Sequence, residues 1–178
     1  MKLISQPLPG VKVLEPFIHR DPRGDFVKPF HEGQLAEHGI ALELKEEFFS
    51  SSAKGVIRGF HFQKPPHAHA KLIYCIAGKV LDVVMDIRKG SPTYGQCAGI
   101  ELSAENHHVI YIPQGFAHAF ASLEDGSCLV YKTDCVHAPA ADAGILWSSV
   151  DFEWPFSSPL ISERDAAFEE LEHFHSPF

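Results

Sequence analysis

A chain of 178 residues fits one domain, residues 1–178, with enough length to bury a substantial core. Hydrophobic residues make up 45% and charged residues 21%, an ordinary globular balance. The net charge of -8 argues against a general nucleic-acid binder, which needs a basic surface to neutralise phosphates, but leaves room for one small anion held by a local group of Arg and Lys.

Met1 to Gly10 carries no apolar signal region, and no later run approaches the length of a membrane span, so a cytoplasmic protein is expected. Val11 to His19 alternates as a strand. Asp21-Pro-Arg-Gly24 reads as a tight turn, with a second strand from Phe26 to Phe30. Glu32 to His38 predicts one short helix, which Gly39 ends. Strands follow over Leu42 to Ser50 and Gly55 to Gln63, then Lys71 to Ile76 and Val80 to Ile87 about a hairpin at Ala77-Gly78. Ala98 to Leu102, His108 to Ile112, Ala117 to Ser122 and Cys128 to Asp134 complete the series. Short strands with turns marked by Gly or Pro predict a sandwich or barrel. Ser162-Glu-Arg-Asp165 starts like a capped helix, which Ala166 to Phe174 extends. Cys75, Cys97, Cys128 and Cys135 show no C-x-x-C spacing and read as small core residues in a reducing compartment.

The stretch from Gly55 to Ile87 holds an unusual density of titratable groups in segments that otherwise read as barrel wall. Residues two apart on a strand share a face. Alternation therefore sets Arg58, Phe60 and Phe62 on one face, and Ile57, Gly59, His61 and Gln63 on the other. After Lys64-Pro-Pro66, His67, His69 and Lys71 fall on one face. Downstream, Tyr111-Ile-Pro-Gln-Gly-Phe-Ala-His118 supplies a further histidine behind a turn.

Eight blocks in order make the sequence resemble the dTDP-4-dehydrorhamnose 3,5-epimerase family. They are DPRGDF (21–26), KGVIRGFHFQ (54–63), AKL (70–72), DIRKGSPTYG (86–95), LSAEN (102–106), IPQGFAHAF (112–120), YKTD (131–134) and ISERD (161–165). The resemblance implies an all-β jelly roll of the cupin type, a double-stranded β-helix with a few short peripheral helices, assembled as a homodimer that would hide open sheet edges. It implies epimerisation at C3, C5 or both of a nucleotide-diphosphate-linked 4-keto-6-deoxy sugar, through an enolate and without cofactor or metal, in deoxysugar or surface-polysaccharide synthesis. Such chemistry needs a base, a group to stabilise the enolate oxygen and an acid across the ring. By similarity His61 is the base, Asp165 orients it, and Lys71 faces the enolate. Arg23 and Arg58 resemble the diphosphate ligands, with Phe26 and His118 as further substrate contacts. Without the resemblance, Arg23 reads as a plain turn residue and Asp165 as a helix-start carboxylate.

Some positions depart from the family pattern. Lys28 stands where the family usually has Glu, and Glu46 and Phe48 where it has Gln and Asn, all in the family's substrate pocket. Counted from Tyr131-Lys132 to Pro139, the family's catalytic tyrosine falls on His137, and Tyr131 stands too early to replace it. An imidazole differs from a phenol as an acid, with reference pKa values of about 6.5 and 10, so inversion at a single carbon, C3 before C5, is expected. Three other readings compete. A metal-dependent cupin would use His67, His69 and His118, against which Lys71 counts. A ketoisomerase would share the enolate, and a non-catalytic sugar-binding member would keep only the barrel.

Overall fold

The computed structural model describes residues 1–178. Thirteen strands form: β1 (Lys2–Ser5), β2 (Lys12–Glu15), β3 (Phe17–Asp21), β4 (Gly24–Lys28), β5 (Glu46–Ser52), β6 (Ile57–Gln63), β7 (Lys71–Ala77), β8 (Lys79–Asp86), β9 (Cys97–Ser103), β10 (Val109–Ile112), β11 (Phe116–Ser122), β12 (Ser127–Thr133) and β13 (Asp142–Gly144). Helix α1 spans Glu32–Glu37, and α2 spans Glu163–Ala166. One sheet has the order β1-β2-β10-β7-β12-β5, the other β13-β6-β11-β8-β9, and β3–β4 stand apart as a hairpin. Neighbouring strands that follow one another only at long range in sequence are the mark of the expected jelly roll.

The two sheets close on a core of Val13, Ile73, Val80, Val84, Leu102, Ile110, Phe116, Phe120, Leu129 and their neighbours. Both sheets also carry cover on their outer faces. Helix α1 seats Leu35, with Ile40 and Leu42, against Leu14, Leu72 and Val109. The C-terminal segment lays Ile145, Val150 and Phe174 over Phe60, Phe62, Val83 and Met85. This double covering explains why every residue of β11 is buried. Its outward positions, Ala117, Ala119 and Ala121, are small enough for the covering segment to approach closely.

The structure changes four details of the predicted elements. The expected strand from Val11 to His19 is two strands, because Pro16 has no N–H for the ladder and the chain leaves the sheet there. The strand expected from Leu42 begins only at Glu46, since Ile40 and Leu42 are drawn under α1 instead. Gly39, at φ +69, ends α1 as expected. The C-terminal helix stops at Ala166: Phe168 turns back against His61, Phe174 packs on Phe62, and the Glu169 carbonyl accepts the Leu146 N–H. The remaining change lies in β6. Across the β6–β11 ladder His61 opposes His118 and Arg58 opposes Phe120, so Gly59 and Phe60 together face the single residue Ala119. This extra residue is a β-bulge, and it flips the alternation. Arg58 therefore shares the His61 side, contrary to the strict two-residue period.

Candidate active site

A cavity of about 280 Å³ opens at one end of the barrel, with walls from β5, β6, β7, β11 and β12. His61, Lys71, His118, Arg58 and Glu46 line it, as the sequence led us to expect, together with Tyr131, His69 and Arg164.

His61 is the best-supported group in the cavity. Its Nε2 lies 2.9 Å from Asp165 Oδ1, while Asp165 Oδ2 accepts the Gly59 N–H at 2.9 Å. Asp165 is 3% exposed. Burial pushes its carboxyl upward, yet the bonds from His61, Gly59 and Ser162 outweigh that and hold it below the usual carboxylate range. Ser162 caps α2 by accepting the Asp165 N–H at 3.1 Å, so the motif that starts the helix also aims the carboxylate. An ionised Asp165 fixes the hydrogen on Nε2 of His61 and leaves Nδ1 as the basic nitrogen. Phe168 meets the imidazole edge-on, with centroids 5.7 Å apart.

Lys71 is buried, and its ammonium donates to the His61 carbonyl at 3.4 Å. Burial lowers its pKa to about 8, against the pull of Asp82 and Asp142. His118 is buried as well and shares a 2.7 Å hydrogen bond with Asp82. Burial lowers the His118 pKa more than Asp82 raises it. Two imidazoles of the cavity lining are thus each paired with a different buried carboxylate behind it, with a cation nearby.

Tyr131, set too early in the chain by the sequence reading, lies inside the cavity. Its ring stacks on Phe48 at 4.7 Å, its hydroxyl is 3.3 Å from Ser50 Oγ, and burial drives its pKa well above that of a free phenol. His137 is exposed at the rim, where its main-chain N–H donates to Glu46 Oε2 at 2.7 Å. Strand β12 explains the difference: Leu129, Tyr131 and Thr133 point inward on alternate positions, and the strand ends before residue 137. That inward parity was the signal for Tyr131. Arg164, inside the ISERD block but given no role by sequence, pairs with Asp142 at 2.9 Å, and both line the cavity.

Three predicted substrate contacts lie elsewhere. Arg23, Phe26 and Lys28 sit on the β3–β4 hairpin and none lines the cavity of its own chain. Arg23 is held by Asp21 at 2.5 Å with its side chain 88% exposed, and Phe26 is 59% exposed. The hairpin is fastened by Asp25 to His107, which is half-buried. His67 is exposed outside the cavity, while His69 and His118 each commit a ring nitrogen to Gln63 or Asp82. The three imidazoles thus do not converge as a ligand set.

A cupin-type barrel whose cavity holds a carboxylate-oriented imidazole, a buried ammonium and a phenol is built for proton transfer at carbon, the work of an isomerase acting through an enolate. The family model described as dTDP-4-dehydrorhamnose 3,5-epimerase matches residues 5–173, and the chain belongs to that family. A Shigella flexneri protein of that description is 43% identical over 168 residues, covering 93% of each chain. The Legionella pneumophila enzyme, solved with dTDP-4-keto-L-rhamnose, superposes with a TM-score of 0.93 at 35% identity, covering 98% of this chain and 94% of that one. A 3'-monoepimerase from Streptomyces bikiniensis, solved with dTDP as a His→Asn, Tyr→Phe double mutant, gives a TM-score of 0.89 at 31% identity, covering 97% and 87%. No helix of the chain is long and apolar enough to cross a membrane.

Proposed function

We propose that this chain epimerises a nucleotide-diphosphate-linked 4-keto-6-deoxy sugar. The observation that carries the reading is the His61–Asp165 pair facing the same cavity as buried Lys71 and Tyr131. His61 Nδ1 takes the proton from the carbon beside the ketone, and the C–H electrons pass into the carbonyl to form an enolate. Lys71 stabilises the enolate oxygen. Tyr131 returns a proton to the opposite face, and exchange with solvent resets both groups before another inversion. His118, held by Asp82, supports the oxygen site.

Tyr131 is preferred over His137 as the acid because it is inside the cavity, and His137 is at its rim. The two residues substituted in the Streptomyces bikiniensis enzyme have the same separation in sequence as His61 and Tyr131. The argument for a single inverted carbon rested on loss of the phenol and falls with it. The same His and Tyr spacing in a 3'-monoepimerase means, however, that the phenol does not decide between one centre and two, and the labelling pattern at C3 and C5 does. Arg58 and Arg164 supply guanidinium groups for the diphosphate. Glu46, Phe48 and His137 form the outer wall toward the nucleotide.

The exposed hairpin supports a homodimer in which Arg23, Phe26 and Lys28 reach the partner's cavity. A second copy would cover Phe17 and Phe26, which are 50% and 59% exposed. A sugar nucleotide substrate fits a cytoplasmic location. Incubating the protein with a dTDP-linked 4-keto-6-deoxy sugar in heavy water tests the reading. Deuterium entering beside the ketone with inversion is expected, and a substrate recovered unlabelled would overturn it.

A further inference from the structure

Strands β3 and β4 pair with each other and with no other strand, and Pro16 and Pro29 bracket the hairpin they form. Two clefts border it where it meets the rest of the chain. One, of about 580 Å³, lies among Ile18, Arg20, Asn106 and His108, and the other, of about 220 Å³, among Val27, Tyr74, Ile76 and His107. Packing this open leaves the pose of the hairpin to its polar contacts. A single hydrogen bond joins residues 17–28 to the rest of the chain, from His107 Nε2 to Asp25 Oδ2 at 2.9 Å.

The His107 end of that bond is a braced turn between β9 and β10. Asn106 Oδ1 accepts the Ser103 N–H at 3.1 Å and the His108 N–H at 2.9 Å, while Asn106 Nδ2 donates to the Glu101 carbonyl at 2.9 Å. Ser103 Oγ accepts the Asn106 N–H at 3.0 Å, and the Ser103 carbonyl accepts the His107 N–H at 3.1 Å. The turn holds His107 at φ +53, the only residue besides glycines in the left-handed region. A side chain persists there only where its surroundings over-determine it, as the bonds around Asn106 do. At the other end, the bond from His107 holds the Asp25 carboxyl below the usual carboxylate range, with a smaller pull from Arg20 at 3.3 Å. Neighbouring residues of a strand point to opposite faces, so a bond that draws Asp25 toward its own chain turns Phe26 outward. Phe26 is 59% exposed, and the Arg23 side chain 88%.

We propose that His107 is a positioning residue for the sugar nucleotide: its bond to Asp25 sets the pose in which the hairpin presents Arg23 and Phe26 to the cavity of a second subunit. This assignment rests on the homodimeric epimerase reading. It makes a braced turn, none of whose residues lines the catalytic cavity, a determinant of substrate affinity.

The test uses the full-length protein and a dTDP-linked 4-keto-6-deoxy sugar. His107→Gly tolerates the left-handed backbone and removes the imidazole, and Asp25→Ala removes its partner. Each should raise KM ~3–10-fold, the scale of one net hydrogen bond, and leave kcat unchanged. Asp25→Asn, whose amide oxygen still accepts from Nε2, should return KM most of the way to that of the wild type. Amide hydrogen exchange should quicken over residues 17–28 in both loss variants and stay unchanged in β7 and β8. Arg23→Ala should raise KM on its own, and should cost less when added to His107→Gly, where the hairpin is already released. Wild-type KM in Asp25→Ala, unchanged exchange in the hairpin, or full additivity of His107→Gly with Arg23→Ala overturns the proposal. Asp25→Ala, on an exposed strand, decides the matter even if the glycine variant fails to fold. An unchanged KM in Arg23→Ala would instead overturn the reach of the hairpin into a second subunit, and a wild-type protein that puts no deuterium into the sugar would overturn the epimerase reading; the proposal falls with either.

Discussion

His61 and His118 stand directly opposite each other across the β6–β11 ladder, yet each ring is bound by a different carboxylate: Asp165 for His61 and Asp82 for His118. Exposure separates their roles. The His61 side chain is 28% exposed and the His118 side chain 5%, so His61 is the more accessible of the two. Substitution of His61 by Asn should lower the exchange rate ~10²–10⁴-fold, the usual worth of a general base, and leave nucleotide binding intact. Asp165→Asn should act in the same direction by releasing the tautomer. Deuterium-exchange rates alongside calorimetric dTDP binding check both, and near-normal exchange in His61→Asn would mean that the base is misassigned.

Lys71 gives the pH dependence. Its pKa is lowered from the ordinary lysine value to about 8, chiefly by burial. The ammonium is present below that pH and lost above it, so kcat should fall on the alkaline side with a midpoint near pH 8. Lys71→Met should cost ~10²–10³-fold in kcat by removing a preorganised cation from the enolate. Lys71→Arg should push the alkaline limb upward if it retains activity. An alkaline limb unchanged in the arginine variant would assign that titration to another group.

Tyr131 and His137 make a paired test. Tyr131→Phe removes the hydroxyl 3.3 Å from Ser50 Oγ and preserves the stack on Phe48. It should block inversion while His61 still washes deuterium into the original face. His137→Ala should weaken nucleotide binding with little change in kcat. NMR of the reduced product distinguishes exchange with retention from exchange with inversion. Loss of inversion in His137→Ala alone would return the acid to the rim.

The bulge in β6 depends on Gly59. Its φ is +121, and an added Cβ would lie 2.5 Å from Ala119 Cβ and 2.6 Å from the His118 carbonyl oxygen. Gly59→Ala should destabilise the fold by ~2–5 kcal/mol, combining overpacking with an unfavourable backbone region. Urea unfolding measures this directly, and an unchanged midpoint would show that β6 tolerates a regular register.

Arg23 tests the assembly. It lines no cavity of its own chain, so Arg23→Ala should raise KM for the sugar nucleotide only if the hairpin reaches a second subunit. Sedimentation at micromolar concentration should give a dimer. A monomer with full activity would sink this arrangement.

The all-β class, most strand positions, the glycine that ends α1, and the candidates His61, Lys71, His118, Arg58 and Asp165 were legible from the residue order alone. These features rest on local alternation, turn chemistry and contiguous motif blocks, all properties of neighbouring residues. The tertiary structure decided what depends on residues far apart in the chain. The bulge that turns Arg58 to the His61 side exists only because Ala119 receives two residues of β6. Tyr131 belongs to the cavity because β12 lies between β7 and β5 with that side chain inward, while His137 lies past the strand's end. His69 is held by Gln63, whose amide is fixed by main-chain groups near residues 67 and 136–138. A period of two assigns faces only within an unbroken ladder; sheet closure, bulges and long-range hydrogen bonds set which faces meet, and they are properties of the packed chain.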